Sequence, residues 1–268
     1  MIKKSTDKPN VLIVLPTLGK RPEYLKKTLK TLMAQKPMSF DLVMVFPLQS
    51  KETVALAKQY GAMMIDDPGG MSAAVNAGIA AAKPWHKYIS WIGDDDYLTK
   101  NSLSTSVSAL EADSKAVIAF GYCDYMTSTD KYIFTSKAGR FAPWIMRWGP
   151  NLIPMPGTLM RKSALDMAGE FDTTNLWSMD LDMLIRLRKI GHFINTKKTL
   201  ASFRWHETSQ TVANRPKLIK EVSQVQRSHM YAPLRVIAPL WEIPVRIATI
   251  IAVKRVNRIA IIRESKDR

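Results

Sequence analysis

Three carboxylates stand in a row at Asp94-Asp95-Asp96, directly after the apolar run Tyr88–Ile92. Such a run reads as a buried strand, and in open α/β sheets ligands bind at the carboxyl ends of the strands. Carboxylates two apart in an extended segment point to the same side. Asp94 and Asp96 are therefore expected to converge while Asp95 turns aside. Oxygen ligands of this kind suit Mg2+ or Mn2+ holding a diphosphate. Without further context the plainer reading is a solvated acidic turn that leads into a helix at Asn101. Three adjacent like charges repel, and a bound cation would relieve that cost.

A second carboxylate of interest is Asp180, in the first turn of a helix predicted from Ser178 to Ile190, with Gly191 as its stop. Its i+3 and i+4 neighbours are Met183 and Leu184, so no helical cation pairs with it. Apolar surroundings raise a carboxylate's pKa and favour proton abstraction. The competing reading is an acid that complements the helix dipole. Asp182 differs, because Arg186 follows four residues later in the favourable orientation for a structural ion pair.

The elements that must position these groups alternate between short apolar runs and helical patterns, the mark of a doubly wound sheet. Strands are predicted over Val11–Leu15, Leu42–Phe46, Ala62–Ile65, Tyr88–Ile92, Ala116–Tyr122 and Tyr132–Thr135. Helices are predicted over Pro22–Gln35, Lys51–Tyr60, Met71–Ala82 and Asn101–Ala112. Phe141–Gly157, rich in Trp, Pro and Gly, reads as a binding loop.

Four stretches, in order, resemble the glycosyltransferase family 2 pattern. V-L-I-V-L-P-T-L-G-K-R-P-E-Y-L-K-K-T-L resembles its first strand, donor loop and helix. G-G-M-S-A-A-V-N-A-G-I-A-A-A followed by W-I-G-D-D-D-Y-L resembles its small-residue helix and Asp-x-Asp strand end. P-G-T-L-M-R-K-S-A-L through F-D-T-T-N-L-W-S-M-D-L-D-M-L-I-R resembles its acceptor segment and catalytic helix, and R-W-H-E-T-S its closing Arg-x-His motif. The ordered set covers roughly residues 10–212 and is more specific than any one piece.

The resemblance implies a GT-A fold, an α/β Rossmann-like doubly wound and mostly parallel sheet, and an inverting, metal-dependent sugar transfer. Residues 1–212 would form the catalytic domain, with about 10–100 as the nucleotide-sugar half and 101–212 as the acceptor half. Residues 213–268 would form a basic helical tail. Pro16, Thr17 and Arg21 fall where the family binds the nucleoside, and Asn76 lies on the small-residue helix. Asp96 with Asp94, and His206, would hold Mn2+ or Mg2+, with Asp94 and Asp95 also on the donor side; whether Asp95 or Asp96 is the main ligand stays open. Arg204 would add charge at the diphosphate or form a surface ion pair. Asp180 would be the base, which the family's Arg six positions later also selects. Trp177 and Gly157 fall on the acceptor side, with a hydrophobic plug as the other reading of Trp177. Many members carry an Asp after the second strand; here V-F-P-L-Q-S stands there, so a base contact would fall to Asp66 or Asp67 and the donor stays open among UDP-, dTDP- and GDP-sugars.

A nucleotidyltransferase would predict a Gly-rich basic loop after strand one, and L-G-K-R-P is a thin match. A non-catalytic membrane-attached partner subunit of the same fold is the alternative from another class.

Net charge is +16, and residues 214–268 hold 12 Lys/Arg against 4 Asp/Glu. That balance calls for an anionic partner. No interleaved aromatic-basic stripe supports nucleic acid. From Pro233 onward apolar residues greatly outnumber polar ones, and Arg235, Glu242, Arg246, Thr249 and Asn257 would form a narrow stripe on one helix. Pro239 and Pro244 favour a broken pair of helices. The pattern fits a membrane-interface appendage over 233–268 meeting anionic lipid, or else helices packed on the catalytic domain or a homo-oligomer contact. A lipid-linked or glycan acceptor follows from the membrane reading. The polar N-terminus lacks a secretory signal pattern, the run Ile247–Val253 is too short for a span of about 20 residues, and the single Cys123 suits a reducing compartment. A peripheral place on the cytoplasmic face of the membrane is therefore expected.

Overall fold

The computed structural model describes residues 8–206 and 215–265. Val11–Pro16 (β1) is buried along its whole length because helices cover both faces of its sheet. Its alternate residues go to opposite sides. Leu12 and Val14 join one apolar cluster and Val11, Ile13 and Leu15 join the other.

Pro22–Met33 (α1) starts with proline in its first turn and buries Leu25, Leu29 and Leu32. Asp41–Phe46 (β2), Lys51–Gln59 (α2), Met63–Asp66 (β3), Met71–Ala80 (α3) and Tyr88–Trp91 (β4) follow. Gly78 lets α3 lie close on β1, since a Cβ there would meet Val14 Cγ1 at 2.2 Å. The order β3-β2-β1-β4 is parallel throughout and makes the half expected to hold the nucleotide sugar.

The second half comprises Tyr97–Leu98 (β5), Ser102–Ala112 (α4), Ala116–Met126 (β6), Tyr132–Ser136 (β7), Ala142–Ile145 (α5), Leu159–Arg161 (β8), Lys162–Ala168 (α6), Met179–Ile190 (α7) and His192–Arg204 (β9). The sheet runs on through β8, β6, β9 and β5, with β7 on β6. The long β6–β9 pairing is parallel, whereas β8, β5 and β7 pair antiparallel. The architecture is the expected α/β one. β9 has no counterpart in the sequence reading, because N-T-K-K-T interrupts its apolar pattern and its ladder with β6 shifts register. Phe141–Gly157 is irregular apart from the single turn of α5.

Three helices close the described chain: Arg215–Ser228 (α8), Ala232–Ile237 (α9) and Pro239–Ser265 (α10). The break falls at Pro239 alone. α10 continues through Pro244, which lies near its start and removes one intrahelical bond there. Among the described residues no helix is long and apolar enough to cross a membrane.

The polar stripe of α10 faces inward. Glu242 accepts two bonds from Arg227, Arg246 donates to Ser223 Oγ, Asn257 accepts from the Trp205 indole, and Glu264 accepts from Ser128. The outward side exposes Leu240, Ile243, Ile247, Ile251, Ile261 and Ile262. α10 thus turns polar side chains toward the rest of the described chain and leaves apolar ones exposed.

Candidate active site

β1 and β4 end side by side, with Ile92 N–H bonded to the Val14 carbonyl. After β1, Thr17 N–H bonds to Val45, which brings the buried Thr17 hydroxyl to Asp94 Oδ2 at 2.5 Å. After β4, Gly93–Asp96 forms a turn with Asp96 N–H on the Gly93 carbonyl.

That turn overturns the expected pairing of carboxylates. Asp94 and Asp95, not Asp94 and Asp96, converge, because the triplet is bent and not extended. One guanidinium bridges them: Arg21 Nη2 is 2.6 Å from Asp94 Oδ1 and Nη1 is 2.6 Å from Asp95 Oδ2. His206 Nε2 lies 2.8 Å from the same Asp95 oxygen and 3.0 Å from Arg21 Nη1. Asp96 is not part of that bridge: its Oδ1 accepts the backbone N–H of Arg204 at 3.2 Å, while its Oδ2 stays on the Gly93 side, as does Asp95 Oδ1.

The electrostatics separate the three acids. Burial raises the pKa of Asp94, outweighing Arg21 and Thr17. Burial, reinforced by the charge of Asp95, holds Asp96 well above the usual carboxylate range. Asp95 is buried too, but the bond to His206 and the charge of Arg21 win and lower it. Asp95 is therefore the carboxylate that stays ionised most readily.

Arg204 is not on the surface. It is 1% exposed, its side chain lies between the rings of Tyr24 and Tyr97, and its guanidinium contacts Asp130 and the Ser128 carbonyl. It pins the end of β9, and so His206, beside the acidic turn.

Asp180 sits in the first turn of α7, as expected. Its Oδ1 accepts the Leu181 N–H at 2.8 Å and its Oδ2 the Asn151 amide at 3.2 Å. Burial raises its pKa, those two bonds oppose the rise, and the charge of Glu221 adds to it. Asp182 meets Arg186 at 2.7 Å and also His229 at 2.8 Å, which identifies it as a structural acid.

Ser178 does not cap α7 with its hydroxyl. That hydroxyl donates to Glu221 on α8, whose carboxylate also accepts the N–H groups of Leu176, Trp177 and Ser178. Glu221 and Asn151 are site residues that the sequence reading missed. A Glu inside a polar helix and an Asn in a loop carry no local signal of partners so distant in the chain.

Asp96 and Asp180 line one cavity of about 410 Å³. Trp91, Trp148, Trp177, Trp205 and Phe203 supply much of its apolar wall, and α8 and α10 contribute Ile219, Val222, Val245 and Val253. Trp177 thus faces the cavity that holds Asp180. Gly157 lies outside that lining; it has φ +78° and packs so closely on Leu200 that a Cβ would come within 2.8 Å. Asn76 is also outside it, with its amide bonded both ways to the backbone of Phe171. Asp66 accepts the Leu48 N–H, and Asp67 closes a local turn on Gly69. Pro16 is buried at the end of β1. Among the described residues no three His, Cys, Asp or Glu side chains group to hold a metal by themselves.

A parallel first half of the sheet, an acidic turn at the β4 end and a helix-borne carboxylate across a shared cavity define the GT-A class of glycosyltransferases. The sequence matches the model "Glycosyl transferase family 2" over residues 12–168, and the chain belongs to that family. Among curated proteins none matches it in sequence. Solved structures share the fold. S. aureus TarS 1-349 in complex with UDP-GlcNAc aligns with TM-score 0.62 at 12% identity, covering 84% of this chain and 69% of TarS 1-349. The mannosyltransferase PcManGT from Pyrobaculum calidifontis, in complex with GDP-Man and Mn2+, aligns with TM-score 0.62 at 14% identity, covering 93% of this chain and 76% of its own.

Proposed function

We propose that the protein transfers one sugar, with inversion, from a nucleotide-diphosphate sugar to a hydroxyl of a lipid-linked or glycan acceptor at the cytoplasmic face of a membrane. The observation that carries this reading is the shared cavity of Asp96 and Asp180. Of the described residues, 8–206 do the chemistry and 215–265 close the acceptor side and meet the membrane; the expected boundary between 212 and 213 lies outside the described residues.

Asp180 takes the proton of the acceptor hydroxyl. The freed oxygen attacks the anomeric carbon from the face opposite the leaving group, and the nucleoside diphosphate departs with the bonding electron pair. One displacement inverts the configuration. Burial of Asp180 makes it a stronger base than an exposed Asp, and the Asn151 amide fixes the direction of its carboxylate.

The acidic turn suits a hard divalent cation. Asp95 Oδ2 and His206 Nε2 already converge, and Mg2+ sites commonly use one or two protein ligands with substrate phosphates and water completing the shell. Asp95 and His206 would hold Mn2+ or Mg2+, flanked by Asp94 and Asp96, and the ion would neutralise the leaving diphosphate. PcManGT, in complex with GDP-Man and Mn2+, supports that choice. Thr17 and Arg21 hold the carboxylates in register.

The outward isoleucines of α10, beside the exposed Lys254, Arg255, Arg258 and Arg263, support attachment to an anionic bilayer. The test of the whole reading is release of nucleoside diphosphate from UDP-, GDP- and dTDP-sugars with Mn2+ or Mg2+. Release by the wild type and its loss in Asp95→Ala are expected. No release and no thermal shift with any donor would overturn it.

A further inference from the structure

A second cleft opens between α8 and α10, lined by Lys220, Ser223, Gln224, Arg227 and Arg246. Three cations meet there. The carboxylate beside them is Glu242, which pairs with Arg227 at 2.6 Å and stands 3.7 Å from Arg246. The Arg227–Glu242 pair explains how α8 is tied to α10. Arg246 shares that one carboxylate at the longer distance, and Lys220 adds a further positive charge to the cleft.

Arg246 carries a further signal. Its Nη2 donates to Ser223 Oγ at 2.8 Å, but its Nε is buried without a hydrogen-bond partner. A buried donor left unmade costs stability, and an oxyanion satisfies it. Ser223 and Arg246 also line the cavity that holds Asp180, so the cleft adjoins that cavity.

We propose that this cleft binds a phosphate group of the acceptor, with Lys220, Arg227 and Arg246 as its ligands. One end of the acceptor would then be fixed by charge while its hydroxyl lies at Asp180. Guanidinium and ammonium groups converging on one pocket are the usual recognition of phosphate. The apolar, Trp-rich wall of the adjoining cavity accommodates a sugar face or an isoprenoid unit. The assignment rests on the glycosyltransferase reading and narrows its acceptor to a phosphate ester.

Calorimetry on the full chain tests it with farnesyl phosphate, glycerol phosphate and farnesol as probes. Wild type and the remote surface variant Lys58→Ala should bind at least one phosphate probe alike and ignore farnesol. Lys220→Ala with Arg246→Gln should weaken that binding by about tenfold or more. Lys220→Ala alone, at an exposed helical position, should weaken it measurably with an unchanged melting temperature. Tighter binding of farnesyl phosphate assigns the phosphate to a lipid, and equal binding assigns it to a water-soluble polymer. Binding of neither phosphate, or undiminished binding in the double variant, overturns the site. Nucleoside diphosphate release measured on the same sample separates the two failures. Release without phosphate binding removes this inference alone, and absence of release removes the transferase reading itself.

Discussion

Asp96 and Asp180 line the same cavity, the first from the turn after β4 and the second from the first turn of α7. The β4 turn gathers negative charge at the sheet edge, and α7 brings a carboxylate whose pKa burial has raised. Glu221 anchors the start of α7 from α8, so the C-terminal helices help set where Asp180 stands.

The pH dependence of transfer should report Asp180. Burial, with a contribution from Glu221, raises its folded pKa, so the ionised base is lost at a higher pH than for an exposed Asp. The acid limb of the rate profile should lie above the ordinary aspartate value of 3.8. Glu221→Gln, which removes the nearby charge, should move that limb to lower pH. An unmoved limb would show that another group controls the rate.

Asp182 should matter for stability and not for chemistry. It is 8% exposed and bonded to both Arg186 and His229, whose bonds outweigh burial and lower its pKa. A lowered folded pKa stabilises at pH values above the unfolded pKa, and the gain is lost as pH falls through the folded one. Asp182→Asn should cost about 2–3 kcal/mol at neutral pH in denaturant melts. The loss should fade in acid.

His206 should set cation affinity. His206→Ala removes the nitrogen beside Asp95 Oδ2 and should raise the Mn2+ concentration for half-maximal activity by about tenfold or more. Titration of activity with Mn2+ checks this, and an unchanged midpoint would remove His206 from the metal site.

The outward face of α10 should govern membrane attachment. Replacing Ile243, Ile247 and Ile251 with Glu removes three exposed apolar side chains and adds charge of the wrong sign. Burial of an Ile side chain is worth about 1.5–3 kcal/mol, so partition onto vesicles containing anionic lipid should fall by at least about tenfold. Nucleoside diphosphate release from donor alone should persist in this variant. Equal partition would assign that face to another contact.

Much of the fold was legible because its first half is built from unbroken apolar runs and helices of regular spacing. The apolar runs Val11–Leu15 and Tyr88–Ile92 read as strands, each within one residue of the observed end, and the acidic triplet at the β4 end follows. The position of Asp180 in a first turn and the Asp182–Arg186 pair were legible because helical spacing is local. Contacts closed over long sequence distances were not. The bridge of Arg21 across Asp94 and Asp95 depends on a turn that side-chain alternation does not encode. The Glu221 anchor and the inward polar stripe of α10 depend on where the tail docks, which no periodicity specifies.

The most direct measurement is the transfer rate of Asp180→Asn beside its donor binding and its melting temperature. Transfer should fall by about 10²–10⁴-fold, the range for loss of a general base. Donor affinity should stay unchanged, and the melting temperature should rise at neutral pH because a buried charge is gone. Transfer within a few-fold of wild type, with donor binding intact, would contradict the assignment of Asp180 and the geometry built on it.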